Sequence, residues 1–447
     1  MFKNLLKHRH ESKKQVLLKT EWVTPLKYTH NFILKKTSKM QNIFTQALGI
    51  NSPWFIKNVE FNNKQLNIHI DFKKGSKWTN GDKHTKAYSA YDTKMKTYRH
   101  MNFFEHECYL HVRVPRIKND DGKVRIMLPP FAGELNGFTL LFEAFVIKFC
   151  KYMPVHNVCQ LMNLSDYKVW KLLDIYVDEA RLNQDLSGID TFGLDETSVA
   201  KGHDYITLFV DLYKKAVVHI SNGKSAKTVH DFVATLEQQN GNKEQVKAIS
   251  CDMSPAFIKG VCKALPNARI TFDKFHILKI INAGVDKVRK AEVKDNPILK
   301  GTRYLFLKNA QNLTKKQQDK KAELVLENYN LKSFEAMRMR ETFQQIYQAP
   351  DMQTFRHLLQ KWYHWVSQCS LLPMVKTANM VKRHWQGILE WKLSSINNGI
   401  LEGLNSVIQA AKRKARGYGK KHFKTMAYLL SGKLDLHRIN GFLPTCF

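Results

Sequence analysis

The chain lacks any run of about 18 consecutive apolar residues, the length a membrane-spanning helix needs, and its first residues, MFKNLLKHRHESKK, hold no apolar segment like that of a signal peptide. A membrane is therefore not an expected partner, and a cytoplasmic, nucleoid-associated location is expected. Cysteine is sparse and unpatterned: the seven residues stand at 108, 150, 159, 251, 262, 369 and 446, with no Cys-x-x-Cys pair. Neither a disulfide framework nor a zinc knuckle is expected from such a set, and the thiols read as reduced and mostly core. Acidic residues are few, 39 Asp and Glu against 71 Lys and Arg, which leaves a formal net charge of +32. So large an excess attracts polyanions and makes nucleic acid the expected partner.

The 447 residues are enough for two to four domains, each with its own core. Residues 1–39 are basic and irregular, and Met40 is the expected start of the folded part. Between residues 40 and 130, alternating runs such as QLNIHIDF and CYLHVRVPRI predict strands, interrupted by the polar stretch KKGSKWTNGDKHTK, and so a small β-rich module. Over residues 137–185 the apolar period becomes helical. The segment MPVHNVCQLMNLSDYKVWKLLDIYV predicts two helices with a turn near Asn163 and Leu164 and Ser165 as N-cap of the second. This is helix-turn-helix spacing: the second helix, carrying Lys168 and Lys171, either enters a DNA major groove or simply packs, as in any helical hairpin.

Residues 190–285 predict the order β-β-β-α-β-α-β-α, with two strands joined by a tight turn at Tyr213, Lys214 and Lys215 and one helix capped by Ser225. Such an order builds a mixed α/β sheet flanked by helices, the ribonuclease H-like arrangement. Residues 286–391 are helical in pattern, with breaks near Pro350 and Pro373, and read as an insertion before the core resumes over 392–440.

Two aspartates are expected at strand ends in this core: Asp195 at the end of the first strand and Asp252 at the end of the fourth, ahead of a helix opened by Ser254 and Pro255. In a sheet of this order the first and fourth strands are neighbours, so the two carboxylates converge and repel. A hard, oxygen-seeking ion, Mg²⁺ or Mn²⁺, relieves that repulsion, and two such ions can hold the attacking and leaving oxygens of an in-line phosphoryl displacement. Glu402, near the start of a late helix announced by Asn398 and Gly399, is the candidate third ligand. The plainer reading of each acid is a carboxylate favoured at a strand end or helix N-terminus, worth a few tenths of a kcal/mol. Glu196, Asp211, Asp273 and Glu390 compete, and spacing alone does not choose among them.

A resemblance does choose. GLDETSVAKGHDYITLFVDL, ISCDMSPAF, FDKFHILKIIN and NNGILEGLNSVIQAAKRKARGYG, in this order between Phe192 and Asn440, resemble blocks of the ISL-three family of bacterial insertion-sequence transposases. The resemblance implies a ribonuclease H-like catalytic core and an acidic (DDE) triad at Asp195, Asp252 and Glu402. It also implies terminal inverted repeats and target DNA as substrate, and at least a dimer when two ends are brought together. Asp273 and His276 match a further block and are expected beside the site. The N-terminal half also resembles the family, in HIDFKKGSK, YDTKMKTYRHMNFFEHECYLHVRVPRI and GFTLLFEAFVIKF, with one departure. Members commonly carry two zinc-binding Cys-x-x-Cys pairs, whereas the corresponding stretches here, KWTNGDKHTK and RIKNDDGKVR, have no cysteine, so zinc is not expected.

DNA contacts are expected from the run 412–424, KRKARGYGKKHFK, which holds seven Lys or Arg and no acid. Its candidates are Lys412, Arg413, Lys414, Arg416, Lys420 and Lys421, with Tyr418 and Phe423 as stacking residues. In the β module Lys73, Lys77, Trp78 and Arg99 either grip DNA or form a solvated surface. The alternatives to an active transposase are a catalytically inactive DNA-binding derivative of one, and a structural RNA-binding protein using charge alone.

Overall fold

The computed structural model describes residues 38–79, 86–200, 202, 204–327, 330–394, 396 and 399–442. The chain divides into two compact units, residues 1–130 and 131–447. The expected basic extension, apart from residues 38 and 39, and Asn398 lie outside the described residues.

In the first unit α1 (Ser38–Ala47) begins just ahead of the expected Met40. It is followed by β1 (Trp54–Asn62), β2 (Gln65–Phe72), the short β3 (Lys77–Trp78) and β4 (Tyr88–Ser89), β5 (Asp92–Phe103), β6 (His106–Lys118) and β7 (Val124–Ile126). The sheet runs β1-β2-β6-β5, with β7 on β6. Alternation decides its buried face: Leu66, Ile68 and Ile70 of β2 meet Cys108, Leu110, Val112 and Val114 of β6 in one core. The tight β1–β2 turn is made by Asn63 and Lys64, both at positive φ (43° and 64°), as the twist of a two-residue hairpin demands. The stretches that resemble the family's zinc loops are tied here by Asp120, which accepts from Lys86 Nζ and Tyr88 Oη, each at 3.1 Å. Two of the expected surface residues are engaged instead in packing. Arg99, 7% exposed, pairs with Glu107 at 3.3 Å, and Trp78 packs on the rings of Trp54 and Phe72.

The second unit opens with α2 (Leu140–Tyr152), α3 (Val155–Met162) and α4 (Asp166–Leu182). Asn163 ends α3 in the left-handed conformation (φ 53°) and Ser165 is the N-cap of α4, as the sequence predicts. Then come β8 (Thr191–Ala200), β9 (Asp204–Asp211), β10 (Ala216–Asn222), α5 (Lys227–Gln238), β11 (Ala248–Cys251), α6 (Pro255–Ala264), β12 (Arg269–Phe272) and α7 (Lys274–Glu292). The expected order is observed, and it forms one mixed sheet, β10-β9-β8-β11-β12, antiparallel on the β9 side of β8 and parallel on the β11 side. One boundary differs: the N-cap of α5 is Ala226, because Ser225 contributes its carbonyl to Thr228 and not a side-chain cap.

Strands β9 and β10 are almost wholly buried, the mark of a sheet covered on both faces. Phe232 of α5 lies against Phe192 and Phe209, with ring centroids 4.6 and 4.5 Å apart. The segment expected as a helical insertion is helical: α8 (Arg303–Leu307), α9 (Lys315–Glu327), α10 (Lys332–Ile346), α11 (Met352–Ser367), α12 (Leu372–Arg383) and α13 (Trp385–Ser394), the last running past the expected end at residue 391. It builds on α7, whose buried Ile277, Ile281, Val285 and Val288 continue the sheet's core into the helical layer. Gly387 lets α13 sit directly on β12, since a Cβ there would stand 2.4 Å from the Phe272 ring. The chain closes with α14 (Gly399–Lys414), α15 (Lys420–Ser431) and α16 (His437–Asn440). Tyr428 of α15 reaches β10, where its hydroxyl accepts the Ile220 N–H at 2.7 Å. No helix among the described residues is long and apolar enough to cross a membrane.

Candidate active site

The parallel ladder between β8 and β11 pairs Thr191, Phe192 and Gly193 with Ala248, Ile249 and Ser250. Continuing that register two residues past its end brings Asp252 level with Asp195. Asp195 is not at the end of its strand, as expected, but midway along it, because β8 continues to Ala200 by pairing with β9 alone. It therefore stands where β11 stops and the chain turns into α6, which leaves an opening beside it.

That opening is a cleft of about 900 Å³. Asp195, Glu196, Asp252, Met253 and Ser254 line one side, His276, Lys279, Ile280, Ala283, Gly284 and Lys287 of α7 another, and Leu372, Pro373, Lys376, Thr377 and Met380 of α12 close it. Asp195 Oδ1 accepts the Glu196 N–H at 2.8 Å, and Asp252 Oδ1 accepts the Ser254 N–H at 3.0 Å at the start of α6, whose dipole favours a negative charge. Burial pushes the Asp195 carboxyl up to about 6; the Asp252 charge adds to this, while His276 and the hydrogen bonds from Glu196 and Asn405 oppose it. Two carboxylates in one part-buried cleft therefore stand at an electrostatic cost that a cation would remove. His276 Nδ1 and Asn405 Oδ1 are buried without a hydrogen-bond partner.

Helix α14 lies across β8. Asn405 Nδ2 donates to Asp195 Oδ2 at 2.5 Å, Gln409 donates to Thr197 Oγ1 and the Ser198 carbonyl at 2.8 and 3.0 Å, and Lys412 Nζ donates to the same carbonyl at 3.1 Å. These residues and Leu401 recur every three or four positions and form one helical face. The approach depends on Gly193, whose missing Cβ would be 2.8 Å from Leu401 Cδ1. Glu402 is in the first turn of α14, exposed, and does not line the cleft. Among the described residues no three of His, Cys, Asp and Glu stand close enough together to hold an ion. The structure thus brings Asp195 and Asp252 together with His276 and leaves Glu402 outside the cleft.

The competing acids have structural employment. Asp273 is 5% exposed and caps α7 through the Phe275 N–H at 2.9 Å. Asp211 accepts the N–H groups of Tyr213 and Lys214, both at 2.9 Å, in the β9–β10 turn, and Glu390 is buried against Gln386. Only Glu196 among them lines the cleft, with Lys224 3.7 Å away.

The basic candidates divide. Lys168, Lys171, Arg413, Lys414 and Arg416 are exposed. Lys412 is spent on Ser198, Lys420 pairs with Asp204 at 2.6 Å, and Lys421 pairs with Asp174. Phe423 does not suit the stacking role expected of it: it is 1% exposed, in the α15 core with Met426 and Ala427. Tyr418 sits edge-on to Trp170, whose ring stacks on His422 at 3.8 Å. The sequence reading did not single out Asn405, Lys279, Lys287 or Lys376. The α7 lysines were legible as an i, i+8 pair on an amphipathic helix, but their facing a cleft was not.

A family model described as Transposase matches residues 192–427, more than half of the chain and the whole of the segment that builds this cleft. The chain belongs to the ISL-three family of transposases. Among its relatives, the transposase for insertion sequence element IS1001 of Bordetella parapertussis is 27% identical over 350 residues, covering 75% of this chain and 84% of that protein. The transposase for insertion sequence element IS1557, from two strains of Mycobacterium tuberculosis, is 21% identical over 353 residues, covering 72% of this chain and 78% of that protein.

Proposed function

We propose that this chain is a DDE transposase that binds the terminal inverted repeats of an insertion sequence and cuts and joins DNA at the Asp195–Asp252 cleft. The observation that carries the reading is the convergence of these two carboxylates, from adjacent parallel strands, in a cleft whose opposite wall holds Lys279, Lys287 and Lys376. Carboxylates alone repel a phosphodiester, and lysines alone bind it without cutting. The strand order and intervening helices support a ribonuclease H-like core spanning 190–285 and 392–440, with 286–391 as the helical insertion.

The donor set fits a hard divalent ion, Mg²⁺ or Mn²⁺: two carboxylates, one raised by burial beside the other, and an unpartnered amide oxygen at Asn405. Such ions, two in the proposed mechanism, supply Lewis-acid polarisation of the phosphate and activation of the attacking oxygen. Asp195 and Asp252 would hold them, and Asn405, which donates to Asp195 Oδ2, would fix that carboxylate. Glu402, one turn before Asn405 on α14, would be the third ligand. The lysines of α7 and α12 take the non-reacting phosphate oxygens. Cleavage adds water across the phosphodiester: the oxygen–phosphorus bond forms as the bond to the 3′ oxygen breaks, giving a 3′-hydroxyl and a 5′-phosphate. The 3′-hydroxyl then attacks target DNA in the same in-line sense, losing its proton and displacing a second 3′ oxygen. Helices α3 and α4, with Lys168 and Lys171, and the exposed Arg413, Lys414 and Arg416 are proposed to bind the duplex, and joining two ends requires at least a dimer.

One observation favours a second reading: Glu402 stands apart from the cleft, as it would in a catalytically inactive, DNA-binding relative. Incubating a labelled duplex that carries the element's own ends with Mg²⁺, Mn²⁺ or EDTA separates the two. Metal-dependent cutting that is lost in Asp252→Asn supports the transposase. Binding without cutting by the wild type supports the inactive relative.

A further inference from the structure

A second groove, about 720 Å³, lies on the far side of α7 from the acidic pair, against α8 and α10. Lys279, Ala283 and Lys287 line both this groove and the catalytic cleft, so one ridge of α7, with a small residue at its centre, is the wall they share. The outer groove adds Lys274, Lys290, Arg303 and Arg340, and its one acid, Asp286, is already engaged by Arg289, Lys290 and Arg303 at 2.8, 3.1 and 3.6 Å. The positive charge therefore exceeds what the protein itself neutralises.

Two further features point to a ligand. Arg340 is 3% exposed; its Nη1 donates to the Leu307 carbonyl and Asn309 Oδ1 at 3.0 and 3.2 Å and its Nη2 to the Lys308 carbonyl and Glu341 Oε1 at 3.4 and 3.5 Å, yet its Nε is buried without a partner. Glu341 meets the guanidinium only at long range, and the Nε is left as an unmet donor at the groove wall, where an anionic oxygen would satisfy it. Beside it the groove presents Asn282, whose Oδ1 is also buried and unpartnered, and Phe275, a residue 51% exposed. Phosphate-seeking cations interleaved with an exposed ring and an unmet amide are the elements of a single-strand platform. Stacking needs an unpaired base, which a duplex does not offer.

We propose that this groove is a single-strand channel that takes the unpaired DNA strand leaving the Asp195–Asp252 cleft over the α7 ridge, with Lys290, Arg303 and Arg340 on its phosphates, Phe275 stacked on a base and Asn282 on a base edge. The channel rests on the transposase reading for the origin of that strand, but its binding is measurable without cutting. In EDTA, a fluorescent oligothymidylate and a blunt duplex are titrated with the full chain across a salt series. The protein is compared as wild type, Phe275→Ala, and Lys290→Gln with Arg303→Gln; all three positions are exposed and outside the catalytic cleft.

Phe275→Ala is expected to weaken oligothymidylate binding by about 5- to 150-fold, the range for one stacked base. The double charge variant, which removes two phosphate contacts, is expected to flatten the salt dependence by about 1.4 units of log–log slope, at ~0.7 per phosphate contact. Blunt-duplex affinity is expected to stay within about twofold. Wild-type affinity for oligothymidylate in all variants overturns the channel, and so does an equal loss for duplex, which marks a general basic face. Should a variant unfold, an iodouracil-substituted strand cross-linked to the wild type decides: adducts on α7 or α8 support the channel, and adducts confined to α14 and α15 overturn it. Retained single-strand binding by a wild type that never cuts would sink the catalytic reading and leave the channel standing.

Discussion

Replacing Gly193 by alanine tests whether the seating of α14 on β8 controls the chemistry. The new Cβ would stand 2.8 Å from Leu401 Cδ1 and 3.1 Å from both Leu401 Cδ2 and Leu212 Cδ2. Carbon atoms prefer about 3.5–4.0 Å, so Leu401 must retreat by roughly 0.7–1 Å or leave its rotamer. Leu401 is 4% exposed and has little room to do so. Overpacking of this kind costs about 1–3 kcal/mol. The displaced helix carries Asn405, one turn on, away from Asp195, and misplacing a positioning group by about 1 Å costs on the order of 100-fold in rate. The expected result is a modest loss in urea or thermal melts with a loss of about two orders of magnitude in strand cleavage. Leu401→Val, which removes the δ-methyl groups, should recover cleavage in the double variant to within about tenfold of wild type. A Gly193→Ala protein that melts lower but cuts at the wild-type rate, or a double variant no faster than the single, would refute the reasoning.

Three further outcomes are expected. Tyr428→Phe leaves the Ile220 N–H buried without an acceptor and should cost about 1–3 kcal/mol in urea unfolding; a loss under about 0.3 kcal/mol would mean that the bond is not made. Glu143 is wholly buried and, although Tyr176 Oη and the N–H groups of Glu134 and Leu135 donate to it, burial pushes its carboxyl up to about 7. Because the folded value lies above the unfolded one, stability should be greatest below about pH 4.5 for this group and fall by about 2–3 kcal/mol as pH rises to 7. Glu143→Gln should flatten denaturant midpoints across that window, and an unchanged pH slope would count against the assignment. Asn405→Ala removes the charged-acceptor hydrogen bond on Asp195 and should weaken Mn²⁺ binding, measured by calorimetry, by about 10-fold or more while leaving duplex affinity unchanged; unaltered Mn²⁺ affinity would exclude Asn405 as a positioning residue.

The order of strands and helices in the core was legible because its signals are local: buried apolar runs for β9 and β10, Ser254 and Pro255 opening α6, and alternation in β2 and β6. The neighbouring of β8 and β11 followed from that order, and with it the meeting of Asp195 and Asp252. What was not legible depends on tertiary partners. The polar residues Glu196, Thr197 and Ser198 hid the continuation of β8, since they pair only with β9, beyond the end of β11. A positive charge in sequence does not disclose its partner, so Lys412, Lys420 and Lys421 looked no different from the exposed Arg413, Lys414 and Arg416. Phe423, by contrast, was misread: with Met426 and Ala427 it makes an i, i+3, i+4 apolar face, the pattern of a core helix. The wall of α12 that closes the cleft was out of reach, because helical periodicity reports a buried face but not which helix it meets.

The most direct test of the central claim, that the Asp195–Asp252 cleft holds the ions that cut DNA, is cleavage of a duplex carrying the element's own ends by Asp252→Cys in Mg²⁺ and in Mn²⁺. A thiolate is a poor ligand for Mg²⁺ and a better one for Mn²⁺. The account predicts no cutting by the variant in Mg²⁺ and a partial return in Mn²⁺, with the wild type active in both. Cutting by the variant at the wild-type rate in Mg²⁺, or by the wild type in EDTA, would contradict it.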